Sequence, residues 1–359
     1  MSSARMPSSL AKDLQTIITM PPWEALVETA CTVAMLKVRE GEPITEIGGL
    51  PDEPRRFLID GLILANNPTL IYADGGSGKS LLALAIALHV DQGLDFLGCK
   101  VQPEGAKALY LDYEFSKEEH DQRLKQLSNG LGFVSVPRLL YRRCVYPIFE
   151  EVATLERMVK EAGVGFVVVD SAGAACGGEP ESAQATLLVW NALRQLDVTP
   201  LVLTHVVKNK GQKGAFGSTY WKNGARLSWD MQSEQAEGSP VLRVALYSDK
   251  SNVTGRLRPQ GYEWDFSSGN AISLKPWNPK NAAGHAERLT LSGRIENAIL
   301  DEKSGHLTVV QLCELLVERD TSIRAALNRD VDKFVRVENG WGCLVPENGA
   351  IHGAIHGSI

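Results

Sequence analysis

Between residues 57 and 205 the chain alternates short continuous apolar runs with longer stretches in which apolar side chains recur at helical spacing. The runs at residues 57–62, 69–72, 107–114, 165–170 and 200–205 are bounded by small, polar or acidic residues, as strands buried on both faces are. Residues 81–90, 116–127, 149–162 and 183–196 predict the intervening helices. Gly93 is placed to cap the first of these, and Ser116 with Glu119 forms a capping-box pattern at the start of the second. Strand–helix alternation with apolar strands implies a mainly parallel sheet covered by helices on both sides, an α/β fold. Ligands of such sheets bind at the carboxyl ends of the strands, where Glu114, Asp170 and His205 fall.

The pattern changes outside this block. Residues 227–274 alternate without helical stretches, which predicts an antiparallel extension of the sheet. Residues 23–38 have helical spacing and precede a Pro/Gly-rich stretch that reads as a linker. Residues 275–288 read as a second linker. Beyond it, helices at 293–300, 309–316 and 321–329 (with Thr321 as N-cap) lead to a hairpin of 334–337 and 341–345 around Glu338-Asn339-Gly340. Three helices followed by a hairpin is the order of a winged helix. The expected division is an N-terminal arm and helix (1–55), an α/β core (56–275), a linker (276–288), a small winged-helix domain (289–346) and a flexible tail (347–359).

Composition narrows the class. The 359 residues carry a net charge of −6, so any basic surface for nucleic acid must be local. A hydrophobic fraction of 44% supports a large core, and no run of 18 apolar residues marks a membrane span. Residues 1–11 are Ser-rich without an apolar segment, unlike a secretory signal, and the six cysteines contain no Cys-x-x-Cys. Both features predict a cytoplasmic protein with reduced thiols and no zinc site.

The strongest chemical signal is Ala73-Asp-Gly-Gly-Ser-Gly-Lys-Ser80, a phosphate-binding Walker A loop between a strand and a helix. Backbone N–H groups of Gly75, Gly76, Ser77 and Gly78 would face a polyphosphate, Lys79 would reach its β- and γ-phosphates, and Ser80 would ligate Mg²⁺. ATP with Mg²⁺ is therefore the expected ligand. Asp170 closes a strand as the second metal ligand, and Ser171 follows it, so a water-orienting base must come from elsewhere. Glu114 is the first candidate and Asp112 the second. His205 is placed to sense the γ-phosphate. Residues 206–226 then hold five basic side chains (Lys208, Lys210, Lys213, Lys222, Arg226), four glycines, Tyr220 and Trp221, and no acid. A mobile basic loop with aromatics suits single-stranded nucleic acid, through Lys208, Lys210, Lys213 and Lys222. Arg226 and Lys250 are candidates for a cation reaching a neighbouring subunit's phosphates.

These parts, with Leu109-Tyr-Leu-Asp-Tyr-Glu114, Phe166-Val-Val-Val-Asp170, Leu201-Val-Leu-Thr-His205 and Lys250-Ser-Asn252, resemble the RecA-like AAA ATPases of the plasmid RepA helicase family, relatives of the DnaB-type hexameric helicases. The resemblance covers about residues 57–252. It implies a RecA-like P-loop core with Glu114 as catalytic carboxylate, His205 as sensor and Arg226 as a finger acting in trans. It implies also a hexameric ring of identical subunits around single-stranded DNA, with replication or recombination proteins as partners. The expected function is then an ATP-driven helicase of a plasmid, phage or mobile element. The alternatives are a non-motor ATP switch that loads or regulates DNA-processing proteins, and a P-loop kinase, which would need an arginine-rich lid that the chain lacks.

Overall fold

The computed structural model describes residues 23–40, 44, 46, 57–102, 106–205, 219–252, 257–282, 284–345 and 350–352. The chain divides at Pro54 into two units. In the first, α1 (Trp23–Glu40) forms where the helical spacing places it.

The second unit is built on a nine-stranded sheet. A small ribbon of β1 (Phe57–Ile59) and β2 (Ile63–Leu64) precedes it, so the stretch expected to be one strand is instead a tight antiparallel turn-back outside the main sheet. Then follow β3 (Thr69–Ala73), α2 (Lys79–Gln92), β4 (Lys107–Asp112), α3 (Lys117–Gly130), β5 (Leu140–Arg143), α4 (Val152–Ala162), β6 (Val164–Asp170), a short α5 (Ala172–Ala175), α6 (Ala183–Gln195) and β7 (Thr199–His205). After α7 (Thr219–Gly224) come β8 (Leu227–Glu234), β9 (Val241–Ser251), β10 (Gln260–Ser268) and β11 (Ala271–Pro276). The strand order is β11-β10-β9-β8-β3-β7-β6-β4-β5. From β8 to β5 neighbouring strands are parallel, and β9 to β11 continue antiparallel.

Side chains alternate along the central strands between two cores. Ile71, Tyr110, Phe166, Val168, Leu201 and Leu203 face α2, and Leu70, Leu109, Leu111, Val167, Val169 and Val202 face the layer of α4 and α6 with Trp190 and Trp221. Helix α2 is buried on every side from Leu81 to Val90. A helix apolar all round needs partners all round, and the antiparallel strands supply them. Val244, Leu246, Trp264 and Leu274 join the α2 core, and the sheet curls until β11 reaches α3. There Gln126 Nε2 donates to the Gly269 carbonyl at 3.0 Å and Asn129 Nδ2 to that of Asn270 at 2.8 Å. The approach is close enough that a Cβ on Gly130 would stand 1.9 Å from the Ile272 carbonyl oxygen.

The linker after β11 contains a 3₁₀ turn (Pro279–Asn281) and α8 (His285–Arg288), both docked on the sheet. Arg288 Nη1 meets Asp230 Oδ2 at 2.6 Å, and the Tyr247 hydroxyl lies 3.1 Å from His285 Nδ1. The C-terminal part holds α9 (Leu291–Asp301), β12 (His306–Leu307), α10 (Val309–Leu316), α11 (Asp320–Arg329), β13 (Phe334–Val337) and β14 (Gly340–Val345). Ile295, Ile299, Leu312, Ile323, Leu327 and Phe334 give it a core of its own. Its third helix starts one residue earlier than expected, with Arg319 rather than Thr321 at the N-cap. β15 (Ala350–His352) pairs with β14 inside the stretch expected to be a flexible tail. No helix among the described residues is long and apolar enough to cross a membrane.

Candidate functional site: a phosphate-loop cleft

The turn after β3 is shaped by two left-handed glycines, Gly76 at φ 73° and Gly78 at φ 88°. At Gly78 a side chain would also press on Leu242, whose Cδ2 would lie 3.1 Å from the new Cβ. This turn delivers the chain to the start of α2, so its N–H groups and the positive helix end converge on one spot. Lys79 is buried, and its amino group donates to the Ala73 and Asp74 carbonyls at 3.0 and 2.7 Å. Burial holds its pKa below the usual lysine value, against the opposing pull of Asp170 and Glu114.

Three strands bring the other groups to the same end of the sheet. Asp170, the last residue of β6, is buried and accepts a hydrogen bond from the Tyr110 hydroxyl at 2.6 Å. Burial pushes its carboxyl above the ordinary range; hydrogen bonds from Tyr110 and Ser80 pull the other way, and Glu114 and Asp112 add to the rise. Glu114 stands just beyond β4, where its Oε1 accepts from the Ser171 hydroxyl. His205 Nε2, at the end of β7, is 3.7 Å from the same oxygen, close enough for an ion pair when the ring is protonated but not for a hydrogen bond.

Lys79, Ser80, Glu114, Asp170 and His205 lie on a cleft of about 490 Å³ with Gly76, Ser77 and Gly78. The cleft fits a magnesium nucleotide on three counts. Ser77 Oγ is buried without a hydrogen-bond partner in the loop itself. The left-handed Gly78 lets the loop turn into the cleft, and a Cβ there would press on Leu242, which lines the same cleft. Asp170, Glu114 and Asp112 concentrate negative charge that a dication would offset. Ser80 and Asp170 would hold Mg²⁺, which would neutralise charge on the phosphates.

Gly75 belongs to the same loop. Asp112 does not reach the cleft, because its carboxylate turns back on its own backbone. Arg226 and Lys250 stand elsewhere. Leu227 pairs with Thr69 and Ser228 with Lys250, so both residues flank the amino end of β3. About 15 Å of strand separates that edge from the phosphate loop, too far for either side chain to serve its own chain's phosphates. Lys250 Nζ instead donates to the carbonyls of Lys222, Asn223 and Ala225 at 2.8–3.0 Å, closing the end of α7. Lys222 is ion-paired with Asp249, which also accepts from the Tyr72 hydroxyl at 2.6 Å. Trp221 is not available for stacking: it is fully buried beside Trp190 and donates to the Pro180 carbonyl at 3.0 Å. Lys208, Lys210 and Lys213 lie outside the described residues.

The cleft also has walls that the motifs do not announce. Glu119, Gln122, Arg123 and Gln126 of α3 line one side, with Arg123 over the Phe115 ring at 4.5 Å. Leu242, Phe266 and Ile272 line the other, from the tops of β9, β10 and β11. The α3 set is spaced three and four residues apart, a polar face visible in the sequence. The opposite wall depends on the curl of the sheet. A smaller crevice of about 220 Å³ beside β9 holds Arg258, His285 and Arg288. Their polar groups are taken up by Glu296, Tyr247 and Asp230, and none of the motif residues faces it.

Residues 38–211 match the sequence family of the AAA domain, a span that includes the phosphate loop, Glu114, Asp170 and His205. No curated protein matches the chain. Among solved structures, a KaiC-like protein of the hyperthermophilic archaeon Pyrococcus horikoshii is 16% identical, over 65% of this chain and 100% of that one, with a TM-score of 0.42. An overlap that loose carries no functional information. Over residues 38–211 the AAA-domain match coincides with motif residues that converge at one end of a mostly parallel sheet, the layout of a P-loop nucleotide-binding core.

Proposed function

We propose that the chain is an ATP-hydrolysing motor acting on single-stranded DNA, of the kind used as a replicative helicase by plasmids, phages or mobile elements. The observation that carries this reading is the position of His205. It borders the cleft beside Glu114 and is the last residue before the lysine-rich segment 206–218. A group that feels the γ-phosphate is thereby joined in sequence to a segment suited to a DNA backbone. In this reading Lys79 and the loop N–H groups hold the triphosphate, Glu114 orients the attacking water, and Phe115, Arg123, Leu242, Phe266 and Ile272 receive the nucleoside. Arg226, remote from its own phosphate loop, acts in a neighbouring subunit's site, which is the arrangement of a ring, while Lys250 braces the end of α7. In this reading the C-terminal part is a winged helix, and in the alternative below it is the docking module of the switch.

One observation favours the second reading, a non-motor ATP switch. Residues 289–345 hold seven basic and nine acidic side chains, poor material for gripping DNA. Steady-state ATPase with and without single-stranded DNA separates the two, using wild type and a Lys208/Lys210/Lys213 triple alanine variant. Stimulation by DNA that disappears in the variant supports the motor. ATPase indifferent to DNA rejects it and leaves the switch.

A further inference from the structure

Strand β4 ends in a way that bears directly on Glu114. The last rung of its ladder is the Tyr113 N–H, which donates to the Asp170 carbonyl at 2.7 Å. Helix α3 begins only at Lys117. The N–H groups of Glu114 and Phe115 therefore fall in the gap between ladder and helix, and both are taken by one atom. Asp112 Oδ1 accepts from Glu114 N and from Phe115 N, each at 2.9 Å. The other carboxylate oxygen accepts from the Tyr141 hydroxyl at 2.8 Å. His120 Nε2 approaches that oxygen at 3.2 Å, but neither ring nitrogen of His120 has a well-aligned hydrogen-bond partner, so this is an electrostatic contact. Asp112 itself is completely buried.

A buried carboxylate is costly unless its lone pairs are used. Here one oxygen fixes a three-residue turn, while β5 and α3 hold the other from behind through Tyr141 and His120. The same register puts Asp112 directly beside Asp170, so the turn is referenced to the strand whose last residue would hold Mg²⁺. Tyr110, two residues earlier on β4, performs the matching task for Asp170 through its hydroxyl.

We propose that Asp112 is a positioning residue of the hydrolytic site: its carboxylate pins the Glu114–Phe115 backbone and so sets where the Glu114 carboxylate stands in the cleft. Asp112 touches neither the phosphate loop nor the cleft, and acts only through Glu114 and Phe115. The inference rests on the reading of Glu114 as the water-orienting base. A base displaced by about an ångström loses rate while the phosphate loop, and with it most of the binding energy, is untouched.

The test uses the full chain with Asp112→Ala, Asp112→Asn and Glu114→Gln, measuring kcat and KM for ATP with Mg²⁺ and the affinity for a fluorescent ATP analogue. Asp112→Ala is expected to lower kcat about 10- to 100-fold with analogue affinity within about threefold of wild type. Asp112→Asn keeps the Oδ1 acceptor for both N–H groups and is expected to restore most of the turnover, a rescue that a merely structural role for the charge would not give. If Asp112→Ala does not fold, Asp112→Ser replaces it; its shorter hydroxyl can hold one of the two N–H groups, and its kcat must fall between the Asn and Gln variants. A folded Asp112→Ala or Asp112→Ser protein with wild-type kcat beside an inactive Glu114→Gln overturns the proposal. So does an Asp112→Asn protein as slow as Asp112→Ala. Wild-type turnover in Glu114→Gln overturns instead the assignment of Glu114 on which the proposal stands.

Discussion

The parallel and antiparallel halves of the sheet do different work at the same cleft. The parallel half ends in Lys79, Ser80, Glu114, Asp170 and His205, groups whose chemistry is specific and whose positions are set by where each strand stops. The antiparallel half ends in Leu242, Phe266 and Ile272, which offer shape and apolar surface and no chemistry. A parallel strand returns through a helix and leaves its carboxyl end free at one edge, so catalytic groups accumulate there. Antiparallel strands return through short turns, so their upper ends are hairpin residues that can only form a wall. The contrast implies that damage to the first half should appear in turnover, and damage to the second in affinity and stability.

The largest effect should come from Lys79→Ala. If its amino group binds the β- and γ-phosphates as proposed, its loss should abolish ATP hydrolysis in a phosphate-release assay; residual wild-type turnover would mean that the loop is misassigned. Next comes Phe266→Ala, which should raise KM for ATP by about tenfold with kcat nearly unchanged, as loss of one apolar contact to the nucleoside would. A fall in kcat at constant KM would erase the distinction between the halves. Gly130→Ala tests the curl of the sheet rather than its chemistry. The added methyl would meet the Ile272 carbonyl, so unfolding in denaturant should show a loss of about 1–3 kcal/mol.

The smallest predicted effect is a pH dependence. His89, His120 and His285 are held below the ordinary histidine pKa chiefly by burial. The unfolded chain takes up these protons near pH 6.5 whereas the folded protein resists them, so stability is full above about 6.5 and declines as pH falls below it. Burial raises the Asp170 and Asp230 carboxyls, which act in the opposite sense, stability rising as pH falls through their raised values, above the pH at which free carboxylates titrate. Thermal melts between about pH 7.5 and about pH 5.5 should show Tm falling with pH. A rising Tm would place the balance with the carboxylates.

Most of the parallel half was legible because each of its signals is local. A glycine-rich loop before Lys79, an acid closing an apolar run at Asp170 and a histidine closing another at His205 need only sequence neighbours to be recognised. The reversal between β1 and β2 has a trace in the sequence, Asp60-Gly61, a turn dipeptide inside 57–62 that a reading of this stretch as one strand passes over; Gly61 adopts φ 66° there. The expected roles of Lys250, Lys222 and Trp221 drew on composition, and composition cannot tell that Lys250 is spent on three carbonyls or that Trp221 is packed on Trp190. The wall of Leu242, Phe266 and Ile272 was out of reach altogether. Its one trace in the sequence is α2, apolar on every face from Leu81 to Val90, which signals that something must close over the helix without naming what. Strand alternation puts Asp112 on the side of Glu114, which makes it a second candidate base; only the geometry reveals that one of its oxygens holds the backbone turn and the other Tyr141.

The most direct test of the site is to measure nucleotide binding and turnover side by side in Glu114→Gln. Isothermal titration with ATP and Mg²⁺ and single-turnover hydrolysis on the same preparation suffice. Affinity close to wild type with kcat lower by a factor on the order of 10² or more is the predicted result, since an amide can occupy the place of the carboxylate but cannot polarise the water. Wild-type kcat, or weakened binding with kcat intact, would contradict it and move the hydrolytic base away from the end of β4.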